Sequence, residues 1–245
     1  MALSGIYIAF ALLLWSNNAT QTIPTPVEVF RALQDLWMND GLGQELWTSM
    51  KLNVHALLIY TSLSLLLAYS SRWPFMRPIV TFIGQLRYLS PLGFVFLLTL
   101  YTYSSHQLKV ALLVFFITPF FTKSMADVVM SIPEEQFDHA RTLRMSELRV
   151  VWEVAVLGTA AMAFTILWQM AAMGWSMLTM VEGISRAEGG VGALLLNQNK
   201  HFRLAQVFAI QLTILFIGLV VQDYCIRALR RIVCPYADLG VERKN

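Results

Sequence analysis

Long stretches without a charged side chain constrain this chain more than any other feature of its sequence. The six longest are residues 1–27, 52–71, 88–108, 110–122, 154–181 and 204–222. A helix that crosses the hydrocarbon core of a bilayer needs about 20 mostly apolar residues. Only 13% of the 245 residues are charged, whereas a soluble domain carries about 25%. The sequence therefore predicts an all-α integral membrane protein.

These runs predict six transmembrane helices in a single domain of residues 1–245, at 2–16, 52–71, 79–103, 108–130, 151–181 and 204–227. The fourth helix requires Lys109 and Lys123, near its two ends, to direct their amines toward water. The first is short, because roughly 14 residues at 1.5 Å each cover only about 21 Å. A signal peptide is the alternative for this segment, although a basic n-region and a small-residue cleavage site are both missing.

The distribution of lysine and arginine predicts the orientation of the helices. With both termini in the cytoplasm, six of the 18 basic residues lie outside and the other twelve inside, which is the bias that the positive-inside rule requires. The six external residues are Arg31, Lys51, Lys109, Arg186, Lys200 and Arg203. The basic residues show no clustering with aromatic side chains, so nucleic-acid binding is not expected.

Two external segments carry patterns of their own. Pro24 and Pro26 precede apolar residues at three-and-four spacing, which predicts an amphipathic helix lying against the outer membrane face. The residues on its predicted apolar face are Val27, Phe30, Leu33, Gln34 and Trp37. The segment Gly189–Gly192 lacks the Gly-Lys-Ser/Thr ending of a phosphate-binding loop, which predicts a flexible external turn.

The densest charge cluster lies between the fourth and fifth predicted spans, at residues 131–150. Ser131 and Glu134 have the spacing of a capping box, and Pro133 suits the first turn of a helix. Acidic residues come first and arginines last, the order that complements a helix dipole. Apolar residues recur at helical spacing along the same segment: Phe137, Ala140, Leu143 and Leu148. One continuous helix of about four turns is predicted.

Two interpretations of this helix remain open on periodicity alone. It is either a solvated connection whose charges keep the loop inside, or a docking surface for another protein. The second is favoured by the exposed apolar side chains and by its length, since neighbouring spans can be joined by a few residues.

The stretch from Asp138 to Ser146 resembles the Glu-Ala-Ala-x-x-x-Gly-Ala-Ser signature of the permease subunits of bacterial ABC importers. The similarity is greatest to the branch that carries taurine, alkanesulfonates, nitrate and bicarbonate. The further similar segments are Ile23–Val29 (the branch's external Leu-Pro-Ser-Pro), Trp175–Glu182 (Trp-Ser and Ala-Glu), Gly190–Gly192 (Gly-Leu-Gly) and Ile226–Arg231 (a basic helix end). The resemblance covers residues 24–235, nearly the whole chain.

This resemblance implies about six transmembrane helices of the type I ABC-importer kind and a cytoplasmic coupling helix in the bacterial inner membrane. It implies a pathway between two permease copies, identical or different, for a small anion that an external binding protein delivers. Cytoplasmic ABC ATPase subunits would bind ATP and Mg²⁺, so the chain itself needs no cofactor and no metal. The residues implied to contact the ATPase are Glu134, Glu135, Asp138, His139, Ala140, Arg141, Leu143, Arg144 and Ser146.

The chain departs from the family signature at three positions. Arg144 stands in the place of the signature glycine, His139 in that of the first alanine, and Leu157 in that of a following proline. Glycine permits a bend between two helical pieces, so Arg144 implies a straighter helix or a bend achieved another way. The ATPase cleft then carries a compensating acidic residue, or a partner permease keeps the standard motif.

Polar side chains within the spans are the candidates for a pathway or gate. Gln169 and Ser176 lie in the charge-free run 154–181, and polar groups at membrane depth face protein or water. Glu182 closes the same run. Helix–helix hydrogen bonding is the alternative for Gln169, and a simple external anchor is the alternative for Glu182.

An enzyme is not expected, because no protease, hydrolase or metal motif occurs in the sequence. The main alternative to an importer subunit is an ion-gradient-driven secondary transporter, which would place ionisable residues inside the spans. The central runs are almost free of such residues. A membrane scaffold that transports nothing is the third possibility.

Overall fold

The computed structural model describes residues 24–185 and 188–234, and this part of the chain is helical with no β-strand. The expectation of an all-α membrane protein is confirmed. The predicted first span at residues 2–16 lies outside the described residues, as does Arg186.

Eleven α-helices occur within the described residues. They are α1 (Pro26–Met38), α2 (Leu42–Ser70), α3 (Arg77–Gln85), α4 (Pro91–Tyr101), α5 (Ser105–Met130), α6 (Glu134–Thr142), α7 (Glu147–Val150), α8 (Gly158–Ile184), α9 (Val191–Lys200), α10 (Leu204–Ile217) and α11 (Asp223–Val233). A short 3₁₀-helix, Leu86–Tyr88, follows α3. Two π-helical segments, Val151–Leu157 and Gly218–Gln222, join α7 to α8 and α10 to α11.

Four described helical stretches are long and apolar enough to cross a membrane: Leu42–Ser70, Ser105–Met130, Glu147–Ile184 and Leu204–Val233. They overlap four of the predicted spans, and the first and third begin several residues before them. In α5 the most apolar window is 61% buried, against 18–33% in the other three. Helix α5 is therefore the central helix of the bundle, and the other three expose most of their apolar surface.

The predicted span at residues 79–103 is two helices rather than one. The helical piece Arg77–Tyr88 and the piece Gly93–Tyr101 meet at an angle of 117°. Leu89 and Ser90 between them are extended, with ψ of 138° and 134°. Pro91 explains the break, because proline has no N–H to continue the helix and disfavours helical backbone in the residue before it.

The amphipathic helix predicted near the N-terminus is present as α1, and Thr25 and Glu28 cap it in a capping box. Val29, Ala32 and Leu36 are buried against the rest of the bundle, and contact of the predicted apolar face with the membrane stays a prediction. The predicted residues Phe30, Leu33 and Trp37 line an open groove of about 810 Å³ between α1 and α10. Contact with α10, which spacing within α1 does not encode, selects the face that is buried.

Helix α2 packs along α5 through a seam of small and polar residues. The buried members on α2 are Ser49, Asn53, Ala56, Tyr60, Ser64 and Ala68. Small side chains let helices approach closely in a membrane, where burial of apolar surface gives little drive for association. Helix α8 joins the same seam at Gly174, where an added Cβ would lie 3.3 Å from Asn53 Oδ1. Helices α2, α5 and α8 therefore form the core.

The seam predicts that a leucine substitution affects stability differently at two serines of α2. Ser64 is fully buried against α5, whereas Ser62 is exposed. We expect Ser64→Leu to lower the free energy of unfolding by about 1–3 kcal/mol through overpacking, and Ser62→Leu to change it by less than about 0.5 kcal/mol. Denaturant unfolding in detergent micelles measures both, and equal losses would contradict the packing of this seam.

Candidate functional sites at the two ends of the helix bundle

The predicted helix at residues 131–150 begins later than expected. Ser131 is the C-cap that follows α5 rather than the N-cap of the next helix. Its backbone N–H donates to the Asp127 carbonyl (3.0 Å) and its hydroxyl to the Val128 carbonyl (2.8 Å). Helix α6 begins at Glu134, after Pro133 in an extended conformation. The predicted capping box was wrong because the serine side chain satisfies the end of α5.

The same segment is also broken in its middle. Helix α6 ends at Thr142 and the short α7 begins at Glu147, so the predicted continuous helix was wrong. Arg144 adopts a left-handed backbone with φ of 58°, which costs about 1–2 kcal/mol for a residue with a Cβ. The chain therefore bends at residue 144 with an arginine there, and the straighter helix is excluded.

Arg141 bridges the break. Its Nη1 donates to Asp138 Oδ1 (2.9 Å), and its Nε and Nη2 donate to the two carboxylate oxygens of Glu147 (3.0 and 3.2 Å). These hydrogen bonds, above all those to Glu147, raise the pKa of Arg141 above its ordinary value. The bidentate pair links α6 to α7 and holds the bend at Arg144 in one geometry.

Eight of the nine residues implied to contact an ATPase are exposed, and Ala140 is buried. The predicted apolar stripe divides in two. Phe137 and Ala140 face the bundle, with 1% and 6% exposure, whereas Leu143 and Leu148 are 61% and 72% exposed. The break at Arg144 turns the second half of the stripe outward. The result is a structured surface that presents both charged and apolar side chains.

Arg72, which follows α2, contacts two residues of α6, Phe137 and Glu134. Its guanidinium carbon lies 3.8 Å from the centroid of the Phe137 ring. Its Nη2 donates to both carboxylate oxygens of Glu134, at 3.2 and 3.3 Å. From the sequence, Arg72 was only one of the twelve basic residues predicted to lie inside. Its contact with Glu134, 62 positions away, leaves no signal in the local spacing.

A second cluster of buried polar groups lies at the opposite end of the bundle, where α8 ends. Glu182 is fully buried, and its carboxylate accepts hydrogen bonds from Ser49 Oγ (2.6 Å) and the Gly192 N–H (2.9 Å). Ser49 in turn accepts from the Val191 N–H (2.9 Å). Glu182 thus connects α2, α8 and α9, and its pathway role and its external-anchor role both stay predictions.

The glycine segment at residues 189–192 is enclosed by this cluster rather than open. Gly189 and Gly190 have φ of 71° and 112°, a region that suits glycine. Glu45 accepts from the Gly190 N–H, and Lys109 Nζ donates to the Gly189 carbonyl (2.9 Å). Lys109 is only 1% exposed, so the prediction that its amine reaches water was wrong. The Gly189 carbonyl accepts a hydrogen bond from this amine inside the protein.

The structure separates the three predicted pathway residues. Ser176 lines a groove of about 290 Å³ between α8 and the α10–α11 stretch, which also contains the side chains of Trp175, Gln211 and Gln222. Trp175 Nε1 donates to Gln222 Oε1 across this groove. Gln169 is exposed on α8 outside it, and Glu182 belongs to the buried cluster.

Two histidines meet at the same end as Glu182. His55 Nδ1 and His106 Nε2 lie 3.2 Å apart, and the rings stack with centroids 5.5 Å apart. Glu188 accepts from the His106 backbone N–H at 3.0 Å. Within residues 24–185 and 188–234, no three His, Cys, Asp or Glu side chains are arranged to hold a metal ion. We therefore assign the pair a structural contact between α2 and α5.

The enclosed glycine segment predicts a strong effect at Gly192. A Cβ there would overlap the backbone carbonyl of Thr179 in α8, whereas a Cβ on Gly43 in α2 would lie 3.6 Å from its nearest neighbour, the Trp37 side chain. We expect Gly192→Ala to lower the free energy of unfolding by about 1–3 kcal/mol. Gly43→Ala should leave it unchanged or raise it by up to about 1 kcal/mol, since alanine favours helix. Thermal unfolding in detergent compares the two.

The left-handed backbone at Arg144 predicts that two arginines respond differently to glycine. Arg144→Gly should leave the stability of α6–α7 unchanged or raise it by up to about 1 kcal/mol, because relief of the strain outweighs the entropy that glycine loses on folding. Arg149, in the right-handed α7, serves as the control, and Arg149→Gly should cost about 1 kcal/mol. Amide hydrogen exchange of α6–α7 measures both, and a loss at Arg144 as large as that at Arg149 would contradict the strain.

Comparison with known proteins identifies the family. The family model described as binding-protein-dependent transport system inner membrane component matches residues 61–231, well over half of the chain. A search of the curated proteins finds no match. The matched range includes α6, the bend at Arg144 and Glu182, and it excludes Glu45 and Ser49. The chain belongs to the binding-protein-dependent transport system inner membrane components, the multi-pass permease subunits of ABC importers.

Proposed function

We propose that this chain forms half of the translocation pathway of an ATP-driven importer and couples it to cytoplasmic ATPase subunits. The observation that supports this most directly is α6, a short braced helix with an exposed charged surface at one end of an apolar bundle. In this proposal the α6 end lies in the cytoplasm, as the excess of arginine there favours. The cluster around Glu182 then lies outside.

The surface of α6 and α7 has the properties that an ATPase contact needs. Glu134 and Glu135 place negative charge in the first turn of α6, and carboxylates pair well with cationic side chains of a partner. Leu143 and Leu148 supply exposed apolar surface beside them. The Arg141 bridge to Asp138 and Glu147 stiffens this surface, so that a force applied to α6 moves it as a unit.

The polar groove beside α8 supports an assembly of two permease subunits. Ser176, Gln211 and Gln222 line a groove between helices that expose much of their surface. Polar side chains at membrane depth are stabilised by facing protein or water. A second permease, identical or homologous, placed across this groove would enclose a polar pathway between the two subunits.

We propose a small anion, such as a sulfonate, nitrate or bicarbonate, as the transported solute. The support is the resemblance of the Trp175–Glu182 and Gly190–Gly192 segments to the branch that carries these anions. An external binding protein would deliver the solute and set most of the specificity. Membership of the binding-protein-dependent family argues against the ion-gradient-driven alternative.

The side chain of Arg144 bears on how the ATPase is recognised. The chain bends at this position with an arginine in place of the signature glycine, and the arginine adds an exposed cation to the proposed docking surface. We propose that the ATPase cleft carries an acidic residue opposite this cation. The other explanation, a partner permease that keeps the glycine, would leave Arg144 without effect on coupling.

Reconstitution tests the function and the role of Arg144 together. The permease is purified with its ATPase and placed in liposomes, and ATP hydrolysis and solute uptake are measured with and without the binding protein. We expect uptake that requires ATP hydrolysis and is stimulated by the loaded binding protein. Arg144→Glu should reduce stimulated hydrolysis about tenfold, because a like-charge contact of about 1.4 kcal/mol replaces an attraction.

Arg149→Glu is the matched control, because Arg149 is exposed on α7 and lies outside the bend. Its Nε is 4.0 Å from Glu153 Oε1. Stimulated hydrolysis by this variant should stay within about twofold of the unmodified complex, a change of less than about 0.5 kcal/mol. Uptake driven by an ion gradient without ATP would contradict the importer. An unchanged rate in Arg144→Glu would contradict the acidic partner.

A further inference from the structure

The contact of Arg72 with α6 joins two parts of the fold that are distant in sequence. The guanidinium covers the Phe137 ring at 3.8 Å and reaches both carboxylate oxygens of Glu134. The Arg72 side chain is 11% exposed and Phe137 is 1% exposed, whereas the Glu134 side chain is 66% exposed. Because exposed ion pairs contribute little, the cation–π contact with the buried ring is the larger part of this interaction.

Only a planar cation makes both contacts at once. The face of the guanidinium stacks on the ring while its edge donates to the carboxylate, and a lysine ammonium cannot do the same from one position. Glu134 also lies in the first turn of α6, where negative charge is stabilised by the helix dipole. Arg72 therefore contacts a carboxylate whose charge is also stabilised by the helix end.

Arg72 is itself fixed at the end of α2. Its backbone N–H donates to the Tyr69 carbonyl. The two preceding serines are buried, and their hydroxyls donate to the Leu67 and Ala68 carbonyls at 2.7 and 2.6 Å. These bonds satisfy carbonyl groups that a helix end leaves open. A displacement of Arg72 therefore moves the end of α2 with it.

The other end of α2 is bonded into the Glu182 cluster. Glu45 and Ser49, in its first two turns, bind the Gly190 N–H and Glu182. Helix α2 has 29 residues and is therefore about 43 Å long. One rigid helix thus connects α6 at one end of the bundle with the α8–α9 junction at the other.

We propose that Arg72 is the positioning residue through which movement of α6 passes to α2. This inference rests on the proposed function, since it assumes that an ATPase moves α6. Helices α5 and α8 follow α6 because the chain connects them directly. Helix α2 moves with α6 because Arg72 contacts Phe137 and Glu134. It transmits this displacement to the Glu182 cluster.

The test is the number of solute molecules transported per ATP hydrolysed by the reconstituted complex. Arg72→Ala should lower this ratio about tenfold, the equivalent of one desolvated cation–π contact and its hydrogen bond, while ATP hydrolysis persists. Arg72→Lys should give an intermediate ratio, since charge is kept and planarity is lost. Arg87→Ala is the matched control, because the hydrogen bond and ring contact of Arg87 both go to the adjacent Tyr88, and its ratio should not change.

A double-mutant cycle tests whether Arg72 acts through α6. Phe137→Leu alone should lower the ratio as Arg72→Ala does, and the double variant should be no worse than the more severe single variant. Additive losses, or an unchanged ratio in Arg72→Ala, would overturn the inference. If Arg72→Ala does not assemble, Arg72→Lys and Phe137→Leu decide the same comparison. Failure of the unmodified complex to couple ATP hydrolysis to uptake would instead overturn the proposed function.

Discussion

The hydrogen bonds of the buried Glu182 carboxylate fix α2, α8 and α9 relative to one another, and the rest of the bundle is arranged around that junction. Helices in a bilayer gain little from burying apolar side chains against each other, because lipid is equally apolar. Their relative positions therefore depend on close packing of small residues and on polar contacts that have no competing water. Here the seam between α2 and α5 supplies the first, and the hydrogen bonds of the buried Glu182 supply the second.

Hydropathy alone predicted the class of the fold and the approximate place of four long helices. It did so because the free-energy cost of exposing charged side chains or unpaired backbone groups to lipid depends on the sequence of each segment alone. Some wrong predictions had local causes, such as the break before Pro91 and the bond of Ser131 to the Val128 carbonyl, whereas others depended on a partner from elsewhere in the chain. Lys109 finds a carbonyl 80 residues away. The face that α1 buries also depends on a partner, since it meets α10. Local spacing contains no information about either contact.

The segment around α6 contains both kinds of feature within 20 residues: some that local sequence predicts and some that depend on contacts made in the folded chain. Its charge order and its resemblance to a known signature pointed to residues that the structure leaves mostly exposed, and their docking role stays a prediction. The position of the bend followed from the signature glycine, but an arginine at that position gave no local reason to expect a left-handed backbone. Arg141 has hydrogen-bond partners on both sides of the break, which the spacing did not indicate. Arg72 was missed because its role depends on where α2 ends in space.

The two π-helical segments have a consequence for how the long helices are aligned. Each widened turn accommodates one more residue than an α-helical turn, and each added residue rotates the following helix by about 100°. Gly218–Gln222 contributes Gln222 to the polar groove and directly precedes the Asp223–Arg227 ion pair. The extra residue in this π-helical turn therefore determines which side of α11 faces the rest of the bundle. It also determines the direction in which the ion pair points.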